Sequence, residues 1–148
     1  MIKNINPGSA SSDPQDITAV GNAIYFVAND GVNSRKLWKT EDDTTFLVKV
    51  PSFFNAATLS QITVMNGEMY FNANSAIHGT ELWVAYDDKA VLIKDINPGT
   101  ETSLPLDLEV VNNLLYFVAN DGTIGRELWS KKGNNNYPTK KPPDFCIP

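Results

Sequence analysis

The chain of 148 residues has one cysteine, Cys146, and one histidine, His78. A lone cysteine excludes an intramolecular disulfide, a cysteine-based zinc site and a redox pair. A lone histidine removes most acid–base and metal schemes built on imidazole. No apolar run approaches the roughly 20 residues of a membrane helix, so membrane insertion is not expected. The opening stretch MIKNINPGSASSDPQ lacks the apolar core of a signal peptide. Positive charge is scarce: 12 basic side chains face 17 acidic ones, for a formal charge of −5. Nucleic acid, which wants a basic face, is therefore not an expected partner. P-loop, dinucleotide fingerprint and Gly-x-Ser-x-Gly elbow are all missing. No window carries a 3.6-residue apolar period, which argues against helices.

What the chain does have is an internal repeat. Leu-Trp recurs at Leu37-Trp38, Leu82-Trp83 and Leu128-Trp129, and Tyr-Phe at Tyr25-Phe26, Tyr70-Phe71 and Tyr116-Phe117. Both sets are spaced by 45 and 46 residues. INPG at 5–8 returns at 96–99, and NDG at 29–31 returns at 120–122, both 91 residues on, which is two periods. A fixed period of this length marks a solenoid, a propeller or an array.

Each unit resolves into four short strands. In the third, Leu108 to Val111 leads through Asn112-Asn113 into Leu114 to Ala119. The other copies turn on Gly21-Asn22 and Asn66-Gly67, the residues that tolerate the positive φ of a type I′ hairpin. Leu115, Phe117 and Ala119 match Ile24, Phe26, Ala28 and Met69, Phe71, Ala73, so one face is apolar in every copy. The opposite face, with Tyr116 and Val118, is more mixed. A strand apolar on nearly both sides belongs inside a covered sheet. The third strand, Arg126 to Ser130, carries Leu-Trp. The fourth is expected at Phe46 to Val50 and Val91 to Ile96, and a Pro/Gly/Ser/Thr linker (6–14, 97–105) leads onward.

These features predict an all-β fold of three four-stranded antiparallel propeller-type blades. The repeats span 2–45, 46–90 and 91–132, and an irregular or disordered tail follows at 133–148, where four prolines and three asparagines fall. Propellers typically close with 4–8 blades. Three units therefore read as a partial or open propeller, a piece of a longer array, or half of a ring completed by a homodimer. Ile2 to Ile5 matches a fourth strand and is expected to complete the last blade of a ring, tying off an unpaired edge.

The blocks VLIKDINPG (91–99), LYFVANDG (115–122) and GRELW (125–129) resemble a bacterial repeat family named for Glu-Leu-Trp followed by Asp-Gly-Thr, also called hyalin-like. So do MYFNAN (69–74) and HGTELW (78–83), and IKNINPG (2–8), IYFVANDG (24–31) and SRKLW (34–38). The resemblance covers residues 2–130. It departs in three places: Asp-Gly-Thr is not intact after any Trp, Lys36 stands where Glu81 and Glu127 stand, and VPSFF (50–54) replaces INPG. The resemblance implies propeller-like arrays outside the cell or at its surface.

For chemistry, Trp38, Trp83 and Trp129 would stack on sugar rings if exposed, or fill space between blades if not. Asp30 and Asp121 in Asn-Asp-Gly turns, and Asp42 and Asp87 in paired-carboxylate turns, offer oxygens suited to calcium, although turn formation alone explains them. Glu81 and Glu127 are expected to be structural, paired with Lys94 or Arg126. His78 reads as a turn residue. No catalytic residue is identified. The functional expectation is a non-catalytic module for protein or glycan binding. A propeller-type glycan hydrolase and a truncated repeat remnant are the alternatives.

Overall fold

The computed structural model describes residues 1–32, 34–52, 54–133 and 145–146. Every regular element among them is a β-strand. Strands β1 (Gln15–Val20), β2 (Ala23–Asn29), β3 (Arg35–Glu41) and β4 (Thr44–Leu47) form one antiparallel sheet in chain order. Strands β5 (Phe54–Met65), β6 (Glu68–Ser75), β7 (Gly79–Tyr86) and β8 (Lys89–Lys94) form the second. Strands β9 (Leu106–Val111), β10 (Leu114–Asn120), β11 (Arg126–Lys132) and β12 (Phe145–Cys146) form the third. The fold is all-β: three propeller-type blades in an open stack.

The hairpins follow from turn chemistry. Asn66-Gly67 and Asn112-Asn113 both hold positive φ, as a two-residue primed turn requires. Asp42 and Asp43 do the same between β3 and β4, at φ +47 and +62. This places the fourth strands earlier than their apolar content suggests. The chain can pair again directly after a two-residue turn, so β4 starts at Thr44 and β8 at Lys89. The long β5 is broken by register shifts between Asn55 and Ser60 and between Ser60 and Thr63, with Gln61 at φ +53. These bulges let one strand bend along its partner.

Register decides which landmarks share a face. Phe26 lies opposite Trp38, Phe71 opposite Trp83 and Phe117 opposite Trp129. Directly opposed residues sit on the same side of a sheet, so each blade has a Phe–Trp face. The alternate positions form a second face, with Val27 opposite Leu37, Asn72 opposite Leu82 and Val118 opposite Leu128. The core has two parts. In one, Tyr25, Val27 and Leu37 of the first blade meet Phe71, Ala73 and Trp83 of the second. In the other, Tyr70, Leu82 and Val84 of the second blade meet Leu115, Phe117 and Trp129 of the third. The Tyr–Leu faces of the first and second blades thus each receive the Phe–Trp face of the next blade.

Two expectations at the ends are corrected. Ile2 to Ile5 forms no strand and does not complete the last blade. It lies on the first blade, where the Lys3 ammonium donates to the Thr45 carbonyl and stands 5.4 Å from the Trp38 ring centre. The tail expected at 133–148 falls mostly outside the described residues. Residues 145 and 146, however, return as β12 and pair with Lys131 and Ser130. This gives the third sheet its fourth strand.

Candidate interaction faces

The repeated aromatic positions serve the stack. Trp83 and Trp129 are buried between blades, and each indole N–H donates to a main-chain carbonyl, Ala73 and Ala119, at 3.1 Å. Trp38 is buried on the first blade and donates to the Ala28 carbonyl at 3.3 Å. No ring face is open for a sugar to stack on, so the ligand-binding reading of Trp38, Trp83 and Trp129 gives way to the space-filling one. A large apolar ring with one donor fits a sheet interface that supplies a carbonyl.

The acidic turns do not converge. Asp30 accepts from the Val32 N–H at 2.9 Å, and Asp121 accepts from Thr123 and Ile124 at 2.8 and 3.0 Å. Those turn bonds hold the Asp121 carboxyl below its ordinary value. Asp42 and Asp87 lie in hairpins at the opposite end of the sheets from Asp30 and Asp121, because successive turns of a meander alternate ends. Among the described residues no three His, Cys, Asp or Glu side chains gather at one point. These aspartates do not fit a calcium site, which takes six to eight converging oxygens.

Glu81 has a role that was not legible. Its carboxylate is wholly buried and accepts from the Ile96 N–H at 3.0 Å, the Ser103 N–H at 2.9 Å and the Ser103 hydroxyl at 2.6 Å. It clamps the linker that carries the chain from the second blade to the third. Burial raises its pKa, and the Ser103 and backbone hydrogen bonds oppose that rise. Among the described contacts Glu81 is held by the linker rather than by Lys94 or Arg126. Lys94 stands over the Trp129 ring, and Arg126 donates to the Leu104 and Val118 carbonyls. The clue available in the sequence was the pairing of Glu before Leu-Trp with INPG and a serine seven residues after its isoleucine.

A second buried polar group joins the second and third blades. Lys131 donates to the Tyr70 hydroxyl at 3.3 Å, and that hydroxyl donates to Glu68 at 2.6 Å. Burial lowers the Lys131 pKa and raises that of Glu68. His78 donates from its backbone to the Ser75 hydroxyl, as a turn residue does, and its ring nitrogen lies 2.9 Å from the Asp95 carboxylate.

The two ends of the stack are open. On the first blade a groove of about 310 Å³ runs along the Phe–Trp face, lined by Ile2, Ile5, Ile17, Ile24 and Phe26 with Ser12 at its side. On the third blade the Tyr–Leu face is open at Leu128 among the described residues. Leu128 is 50% exposed, whereas Leu37 and Leu82, at the same position in the other blades, are 2% and 0% exposed. Comparison with family models, with curated proteins and with solved structures finds no match to the chain. The fold and its faces define an all-β repeat protein of propeller-type blades.

Proposed function

We propose that the chain is a non-catalytic interaction module that binds a protein partner through the open ends of its blade stack, at the cell surface or outside the cell. The observation that carries this reading is the apolar groove of the first blade. Ile2, Ile17 and Ile24 leave large side chains in water there, and an exposed apolar patch with polar edges is a common mark of a docking site. The burial of all three tryptophans favours a protein over a glycan as the partner class. The location rests on the resemblance to extracellular repeat arrays.

Selection of displayed peptides on the immobilised full chain tests the reading. Apolar peptides should be retained, and Ile24→Asp should release them while the chain keeps its melting profile. Peptides held equally by both proteins, or none held, would count against it.

A further inference from the structure

The two open faces are complementary, and the linkers show how they fit. Inside the chain, a linker that begins INPG and places a serine seven residues after its isoleucine is clamped by the glutamate before Leu-Trp: Ile96 and Ser103 by Glu81. The linker from the first blade to the second is of another type. It lacks INPG, and Lys36 stands in the clamp position, lining a groove with Pro51, Ser52 and Phe54. This leaves one clamp and one linker of the glutamate type without each other. Glu127 is exposed at the third blade. The linker Ile5 to Ser12, with INPG and a serine at the matching place, enters the first blade.

That linker already has the clamped form. Asn6 donates to the Ser11 carbonyl as Asn97 does to Thr102. The Ser12 carbonyl accepts from Asn29 as Ser103 does from Asn120. Lys3 covers Trp38 as Lys94 covers Trp129. The apolar surfaces match in the same way. Leu128 and Tyr116 repeat the Tyr–Leu face that the second blade presents to the third. Ile17 repeats Ile62 and Leu108, which pack into the two internal interfaces.

We propose that the third blade of one chain docks on the first blade of a second copy, with Glu127 of one clamping the Ile5–Ser12 linker of the other. The contact is head to tail, so two copies make it twice. They give six blades, within the range at which propellers close. This inference deepens the reading of the chain as an interaction module by naming the occupant of its open faces.

Sedimentation of the full chain from micromolar to near-millimolar concentration tests it. The expected mass is twice the 16.3 kDa of one chain. Leu128→Asp and Ile17→Asp each alter one exposed face, and each alone should sediment as a single chain. Mixed, they should regain the doubled mass, because the intact first blade of one meets the intact third blade of the other. Glu127→Ala should weaken association at least about tenfold, the loss of a charged hydrogen-bond acceptor. Near-ultraviolet dichroism checks folding, and Glu127→Lys replaces Leu128→Asp if the latter does not fold. A single-chain mass throughout, a doubled mass indifferent to the substitutions, or a mixture that stays single would overturn the proposal. A single-chain mass together with peptide binding at the first-blade groove would refute self-docking alone and leave the interaction reading standing.

Discussion

Replacing Glu81 with alanine isolates the contribution of the clamp to the joint between blades. The substitution removes three acceptor interactions, at 2.6 to 3.0 Å, from a carboxylate with no exposure. It leaves the Ile96 and Ser103 N–H groups without their acceptor in buried positions. Each orphaned buried donor costs about 1–3 kcal/mol. Relief of the buried carboxylate's desolvation and partial access of water offset some of that. A net loss of about 4 kcal/mol follows for two backbone donors and one hydroxyl. For a chain of this size it corresponds to a fall in melting temperature on the order of 10 °C. Glu81→Gln keeps one carbonyl oxygen and turns an NH2 group toward the other donors, so the loss should be about 1–3 kcal/mol. The matched control is Glu127→Ala at the equivalent exposed position, which should stay within about 0.5 kcal/mol at concentrations too low for association. Thermal melts give the ranking, and hydrogen exchange gives the place: the amides of Ile96 and Ser103 should lose protection in Glu81→Ala. Equal effects at Glu81 and Glu127, or unchanged protection at Ser103, would refute the clamp.

The repeat supplies a second matched pair. Leu82→Ala should cost about 2–5 kcal/mol in urea unfolding, because Leu82 is sealed between blades, while Leu128→Ala in the dilute chain should be nearly silent. Gly79→Ala should cost about 2 kcal/mol or more in the same assay: its φ is +62, and a Cβ there would meet the Glu101 carbonyl oxygen. Glu68 carries a pH signature. Burial raises its pKa above 4.5, so the protonated form favours the fold; that stability is whole below about 4.5 and is lost as pH rises through the folded-state value. Urea midpoints of the native chain minus those of Glu68→Gln should therefore decline from acidic toward neutral pH. A flat or rising difference would show that the carboxyl is not desolvated.

Much of the architecture was legible because each unit repeats its two central strands nearly residue for residue. Tyr-Phe and Leu-Trp mark β2, β3 and their counterparts, and pairs drawn from Asn and Gly mark the turns before β2, β6 and β10. Pattern did not reveal the edges. The fourth strands start on the polar residues Thr44 and Lys89, since an edge strand pairs through its backbone whatever its side chains. The positions of Ile2 to Ile5 and of residues 145–146 depend on contacts far along the chain. Glu81 escaped for a similar reason. A glutamate in a strand reads as a surface charge, and only the linker folding beneath the sheet buries it. The tryptophans were ambiguous because alternation shows that Leu and Trp face opposite ways without saying which way is covered.

Among the described residues the second blade alone is sandwiched on both sides, with Tyr70, Phe71, Leu82 and Trp83 all fully enclosed. In a linear series whose cohesion comes from neighbour contacts, opening free energy varies along the row. The chain should therefore fray from its flanking sheets inward, with β6 and β7 as the last cooperative unit to melt. Sequence drift should be tolerated at either flank long before it is tolerated in the middle.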